Sequence, residues 1–355
     1  RAASGDDMIR HRRGKFRLDS GGERLGGEYI FDAGSLRVAE TLESVGHFSY
    51  APIGGQPFGE EALEGRGDEA LPVVSVVDGE IMAAIQDPRN EGAFFVLPSQ
   101  LNGAEYPSSS RVVSRIQDYV QDNTGGPRGQ LAVHPAAGQF VLDNAARSRH
   151  PGGINAVDGI LQAASEFGFA LENGYLRMPE ASSDAQADQM LAAVRSRLHT
   201  LRPLMMSGVP ASGMLPSLRG LSRASHSVGL VYASAVPLNA YMNHAARGSP
   251  SDRLHRKVAA GVLTAQYYGA MARIAADPEL AKPAVVYLMP LGGGVFNNPA
   301  GSIAKSIALA VERLSAEGRL EALDIRVLAW ERNLREGEEM RRLLQGLGKL
   351  RASGR

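Results

Sequence analysis

Apolar residues recur along this chain with two different spacings, and the spacing changes from stretch to stretch. Ala93-Phe94-Phe95-Val96-Leu97 is a short, continuous apolar run and reads as a buried central strand. Ser227 to Val236, Val285 to Met289 and Ile325 to Trp330 are further strand candidates, and Leu131-Ala132-Val133 is a brief one. Val73 to Ile85 reads as two short strands around the turn Asp78-Gly79. Other stretches carry the helical period. Gly153 to Gly168 puts Ile154, Val157, Leu161 and Ala164 on one face. Asp184 to Leu201 does so with Met190, Leu191, Val194 and Leu198. Leu254 to Ala276 is predicted as a long helix, and Val112 to Val120 as a shorter one. Ile303 to Leu314 is striped by Ile303, Ile307, Val311 and Leu314, and Glu336 to Leu347 by Met340, Leu343, Leu344 and Leu347. Met205 to Ser222 is rich in Gly, Pro and Ser and reads as a loop. Strands alternating with helices predict an α/β fold, with ligands at the carboxyl ends of the strands.

One strand candidate leads into unusual chemistry. Val285 to Met289 is followed by Pro290-Leu291-Gly292-Gly293-Gly294-Val295-Phe296-Asn297-Asn298-Pro299, and then a helical pattern begins. Glycines in such a turn let backbone N–H groups converge on an anion, because no Cβ blocks the approach. The following helix adds its positive end, and Phe296 is placed to cover a sugar or base. The arrangement points to a phosphorylated nucleotide or nucleotide-sugar. The alternative is a tight strand-to-helix turn with no ligand.

Composition narrows the picture without directing it. The chain has 355 residues, 44% hydrophobic and 21% charged, with zero formal net charge. Nothing there draws it to nucleic acid or to a membrane surface. It contains no cysteine, which excludes disulfides, thiolate metal sites and a cysteine nucleophile. The eight histidines are scattered, none paired at helical spacing, so no metal centre is expected; His134 and His226 are assigned structural or surface roles. No apolar run approaches the roughly 18–20 residues of a membrane span, and no secretory signal pattern precedes Asp19. The expected location is the cytoplasm and the expected state a monomer. Residues 1–27, rich in Arg, Gly and Asp, are expected to form a disordered tail, and residues 28–355 a single domain with helical insertions.

Two further clusters follow strand or helix candidates. Pro98-Ser99-Gln100-Leu101-Asn102-Gly103-Ala104-Glu105-Tyr106 leaves the Phe94 run at the point where side chains reach a pocket rim. An amide there can hold a ribose hydroxyl and a carboxylate can move a proton; equally, Gln100 and Asn102 can cap loop backbone. In Tyr119-Val120-Gln121-Asp122-Asn123-Thr124-Gly125-Gly126-Pro127, Asp122 is either a turn-forming aspartate or a general base.

These residues together resemble a family. Gly292 to Pro299 is similar to the second phosphate-binding loop of macrodomains, which bind ADP-ribose, and Gly79-Glu80-Ile81 is similar to their Gly-Asp-Ile segment, whose acid meets adenine. Ser99 to Asn102 with Glu105, Tyr119 and Asp122 with Thr124-Gly125-Gly126-Pro127, Ile154 to Asp158, and Asn173-Gly174-Tyr175 resemble a divergent macrodomain group. That group includes a bacterial effector that removes ADP-ribose from an arginine of ubiquitin. The resemblance runs from about Val73 to Trp330. Glu80 replaces the usual Asp, and Tyr106-Pro107-Ser108-Ser109-Ser110 stands where the common catalytic glycine loop would follow the Asn-bearing strand.

The resemblance implies a macrodomain-like mixed central sheet flanked by helices, with insertions. It implies an ADP-ribosyl hydrolase acting on ADP-ribosylated protein, with arginine as the linkage and ubiquitin as a candidate substrate, and needing no cofactor. Asp122 and Glu105 are the candidate catalytic carboxylates, with Asp118 in reserve. Glu80, Gln100, Asn102, Gly292, Gly293, Gly294, Val295, Phe296 and Asn297 are the candidate ligand-binding residues. A reader that binds ADP-ribose without hydrolysing it is the competing expectation, and a hydrolase of nucleotide-sugars or phosphate esters a third.

Overall fold

The structure is a computed structural model. It describes residues 74–106, 110–114, 119, 124–133, 137–138, 141–142, 145–146, 155–201, 203–211, 226–239, 242–329 and 342, together with four strands nearer the amino terminus. Those strands are β1 (Phe16–Ser20), β2 (Glu23–Asp32), β3 (Ser35–Val38) and β4 (His47–Ser49). The first three form an antiparallel sheet. Strand β1 and the start of β2 thus fall within the segment whose composition suggests a tail; Phe16 and Leu18 alternate there with Arg17 and Asp19, a period of two.

The main sheet has seven strands in the order β4-β9-β10-β6-β11-β12-β5, where β5 is Ser75–Asp78, β6 Phe94–Pro98, β9 Leu204–Pro210, β10 Ser227–Ala233, β11 Ala284–Leu288 and β12 Leu323–Ala329. The five strands from β10 to β5 run parallel, and β9 and β4 extend the sheet antiparallel at one edge. A small hairpin, β7 (Ala170–Glu172) and β8 (Tyr175–Arg177), stands apart and turns through Asn173-Gly174, both at positive φ.

Both faces of the sheet are covered, which is why its central strands are apolar without interruption. Along β6, Phe94 and Val96 enter one core while Phe95 and Leu97 enter the other. The first core is closed by helices α4 (Asp184–Arg195), α5 (Pro250–Ala276) and α6 (Ala300–Ala316). The second is closed by α1 (Ile81–Gln86) and α2 (Gly125–Ala132), and a short helix, α3 (Asp158–Ala163), packs beside α4. Ile303, Ile307, Val311 and Leu314 on α6 are fully buried, as their spacing predicts. Each such side chain contributes about 1.5–3 kcal/mol of burial. Ser249 caps α5 by accepting the Asp252 N–H, and Pro250 opens it. Among the described residues no helix is long and apolar enough to cross a membrane.

Four local expectations are corrected. The second half of Val73 to Ile85 is helix α1 rather than a strand, because Glu80 accepts the Ala83 N–H and caps it. Leu131 and Ala132 end helix α2 instead of forming a strand. The Gly- and Pro-containing stretch after Met205 begins as strand β9, its partner β10 supplying the ladder that its composition hides. Residues 111–114 are not helical, and the rest of the helix predicted to Val120 lies, Tyr119 apart, outside the described residues. The helix predicted over Glu336 to Leu347 also lies outside them, Arg342 apart.

Candidate functional site

Because β10, β6 and β11 are adjacent and parallel, the three segments that leave their carboxyl ends meet at one edge of the sheet. The β11 segment is the glycine-rich turn. Gly292 takes φ +77°, and a Cβ there would stand 2.3 Å from the Ala235 Cβ and 2.7 Å from Asn298 Nδ2. Only glycine satisfies both the backbone angle and the space. The turn is closed by the Asn297 N–H to the Gly294 carbonyl at 3.0 Å and the Asn298 N–H to the Gly292 carbonyl at 3.0 Å. Asn297 is itself left-handed, φ +56°.

The β10 segment fixes which way this turn faces. The Leu238 N–H donates to the Phe296 carbonyl at 2.9 Å, and Asn239 Nδ2 donates to the Val295 carbonyl. Asn298 Nδ2 donates to the Val236 carbonyl at 3.0 Å. With the Val295 and Phe296 carbonyls held on that side, the amides of Gly292, Gly294, Val295 and Phe296 donate to no acceptor among the described residues. Gly294 and Val295 are exposed, and a Cβ at Gly294 would meet nothing within 4 Å. Unused N–H donors on an open turn are what an anion-binding concavity is built from.

Helix α5 holds both segments from below with two consecutive buried polar side chains. Gln266 accepts the Ser234 N–H at 2.8 Å and returns a hydrogen bond to the Ser234 carbonyl, splicing the end of β10. The Tyr267 hydroxyl donates to the Met289 carbonyl at 2.6 Å and accepts the Leu291 N–H at 2.9 Å. Burial pushes the Tyr267 phenol well above its ordinary pKa, so it stays protonated and keeps donating.

The β6 segment folds on itself. Ser99, Gln100 and Asn102 are buried. Gln100 Nε2 donates to the Tyr106 carbonyl at 2.8 Å, which also accepts the Tyr175 hydroxyl at 2.7 Å. Asn102 Oδ1 accepts the Ala104 N–H at 3.1 Å, and Gly174 packs directly against its amide. Tyr175 in turn lies 5.7 Å from Phe296, ring centroid to ring centroid. Phe296 is therefore tied through Tyr175 and Tyr106 to the Glu105 backbone. The Glu105 N–H donates to the Tyr119 hydroxyl at 3.2 Å.

Glu105 also faces the amino end of α2. A Cβ at Gly126 would lie 2.9 Å from Glu105 Oε2 and 2.1 Å from the Pro98 carbonyl, so this close approach of helix to loop requires glycine there. The positive end of α2 favours a negative charge on that carboxylate. Gly125 lies against Met289, at the start of the glycine-rich turn. The Thr124-Gly125-Gly126-Pro127 segment is thus the first turn of a helix aimed at the meeting point of β6 and β11.

Of the candidate residues, Gly292 to Asn297, Gln100, Asn102 and Glu105 all belong to this edge. Gln100 is held by the loop through Nε2 and Asn102 through Oδ1, while Gln100 Oε1 has no partner among the described residues. Glu80 lies at the far edge, after β5: one oxygen caps α1 and the other pairs with Arg128 Nε at 2.9 Å. Asp118 and Asp122 lie outside the described residues. Sequence reasoning missed Gln266, Tyr267 and Asn298. Two polar residues inside an otherwise apolar helical face were the available signal for the first two.

Comparison of the sequence with protein-family models and with curated proteins gives no match. Among solved structures, the chain is similar to poly(ADP-ribose) glycohydrolase from Deinococcus radiodurans in complex with ADP-ribose. One crystal form gives a TM-score of 0.39 at 15% identity, covering 81% of this chain and 90% of that one. A threonine-to-lysine mutant of the same enzyme, also with ADP-ribose, gives 0.36 at 16% identity over 81% and 90%.

Proposed function

We propose that the protein is an ADP-ribosyl hydrolase that removes mono-ADP-ribose from an arginine of a modified protein, with ubiquitin as the candidate substrate. The observation that carries this reading is the set of amides at Gly292, Gly294, Val295 and Phe296 that donate to no acceptor among the described residues, on a turn exposed at Gly294 and Val295. Such a set suits a diphosphate. The macrodomain-like motifs from Gly79 to Pro299 supply the rest of the assignment.

In this reading the diphosphate lies on the glycine-rich turn and Phe296 packs on the distal ribose. Glu80, at the far edge, serves the adenine end, and Gln100 and Asn102 shape the ribose rim. The bond that breaks joins ribose C1″ to a guanidinium nitrogen. As it lengthens, positive charge develops on the ribose, and a nearby carboxylate stabilises it. Glu105, at the positive end of α2, is suited to that electrostatic role. Asp122, two residues before the Thr124 cap, is assigned to activate water, which adds to C1″ while the guanidine leaves with a proton. Asp118 is the reserve.

The competing reading is a non-catalytic ADP-ribose reader. One observation favours it: Glu105 Oε2 sits against the backbone of α2, a place where a carboxylate can serve the helix alone. Calorimetric titration with ADP-ribose tests the shared part, and Gly294→Glu is expected to abolish binding. Asp122→Ala separates the two readings: a hydrolase keeps binding and loses turnover, whereas turnover retained by the variant removes Asp122 from the mechanism.

A further inference from the structure

The strand order sets a direction along the site. Glu80 follows β5 at one end, the amide row follows β11, and the segment after β10 lies beyond it. A ligand with its adenine near Glu80 and its diphosphate on the amide row points its distal ribose, and whatever that ribose carries, toward the β10 side. There the structure has a cavity of about 260 Å³, lined by Asn239, Asn243, His244, Asp252, Arg256 and Asn297 among others. It shares Asn297 with the glycine-rich turn, and its floor is the first two turns of α5.

Most polar side chains of this cavity are already engaged. Asp252 has both oxygens engaged, Oδ2 by the Gly248 N–H at 3.0 Å and Oδ1 by Arg256 Nε at 2.7 Å. The Asn243 side chain is spent on the Met178 N–H and the Leu176 and Pro237 carbonyls. Both His255 ring nitrogens face carbonyl oxygens, of Asn243 at 3.0 Å and Pro179 at 2.9 Å. What remains uncommitted among the described residues is the two terminal nitrogens of Arg256, the His244 ring and the Asn297 amide. Arg256 is 52% exposed at its side chain and holds Asp252 only through Nε, so its outer edge is a ready two-nitrogen fork. The amino end of α5 adds positive potential at the same place.

We propose that this cavity receives a carboxylate of the protein substrate, an Asp or Glu side chain beside the modified residue, and so makes the enzyme selective for acidic surroundings of its target. The proposal rests on the hydrolase reading above. Arg256 makes the two-pronged contact, and Asn297 and His244 complete the donor set. The same donors disfavour a basic neighbour, so selectivity has a repulsive side as well.

The test uses two peptides mono-ADP-ribosylated on arginine, identical except for Glu or Gln next to that arginine. The wild-type protein is expected to show a KM about ten-fold lower for the Glu peptide, the size of one charge-assisted hydrogen bond. Arg256→Gln is expected to erase the difference and Arg256→Lys to restore part of it. His244→Gln, at an exposed ring, is expected to narrow it and serves if Arg256→Gln does not fold. Equal KM for both peptides in the wild type overturns the proposal while leaving the hydrolase reading intact. A Glu preference that survives Arg256→Gln moves the carboxylate site elsewhere and overturns it too. Failure to bind ADP-ribose at all overturns the hydrolase reading, and this inference with it.

Discussion

Two substitutions two residues apart separate what the glycine-rich turn does for the fold from what it does for a ligand. Gly292→Ala forces an alanine into φ +77° and puts its Cβ 2.3 Å from the Ala235 Cβ. The left-handed backbone costs about 1–2 kcal/mol, and crowding a filled site costs about 1–3 kcal/mol. The expected loss of stability is therefore about 2–5 kcal/mol, read as a shift of the urea midpoint at unchanged slope. Gly294→Ala has open space around its Cβ and no left-handed angle, so its stability is expected to stay within about 0.5 kcal/mol of wild type. Gly294→Glu is the sharper probe of the site. It sets a carboxylate beside the amide row, and a like charge at about 4 Å costs about 4 kcal/mol at an effective dielectric of 20. That corresponds to a loss of about a thousand-fold in affinity for ADP-ribose. The reasoning is refuted if Gly292→Ala unfolds at the wild-type midpoint, or if Gly294→Glu binds ADP-ribose as the wild type does.

Other outcomes follow from the same geometry. Tyr267→Phe leaves the Met289 carbonyl and the Leu291 N–H unpaired beneath the turn, and is expected to cost about 1–3 kcal/mol in urea unfolding and to weaken ADP-ribose binding. Asp252 offers a pH signature. Burial alone would raise its carboxyl, but the Gly248 N–H and the Arg256 guanidinium outweigh burial and hold it below its ordinary value of 3.8. A lowered folded-state value stabilises the fold above the unfolded pKa, and that stability disappears as pH falls through the folded one. The stability gap between wild type and Asp252→Asn is thus expected to be constant from pH 7 to about 5 and to shrink as pH falls below about 4; a gap that widens on acidification contradicts the assignment. Asp122→Ala is expected to retain ADP-ribose affinity and lose hydrolysis, measured by calorimetry and intact mass on one preparation.

The central elements were legible because their signals are local. An unbroken apolar run such as Phe94 to Leu97 needs covering on both faces, and the stripe at Ile303, Ile307, Val311 and Leu314 has one helical solution. The glycine-rich turn was legible because three adjacent glycines are costly without a reason. Strand β9 was hidden, since Gly208 and Pro210 argue for a loop and only pairing with β10 overrides them. Helix α1 was hidden by its brevity; the Glu80 cap that fixes it looks in sequence like half of a hairpin turn. At the site, the sequence marked what projects from the strand ends but not what holds it. The Gln266 splice and the Tyr267 bridge act on residues 32 and 22 positions away, and nothing local to either partner announces that distance. Gln100 and Asn102 show what sequence leaves open at a strand end: one end of each amide closes its own loop, and only the hydrogen bonds reveal which.

The most direct measurement is incubation of the purified protein with arginine-ADP-ribosylated ubiquitin, read by intact mass, with free ADP-ribose titrated alongside. Loss of the ADP-ribose mass, together with saturable ADP-ribose binding that Gly294→Glu removes, is the predicted result. The absence of both mass loss and binding would contradict the account at its root, because the amides of Gly292, Gly294, Val295 and Phe296 would then face no phosphate.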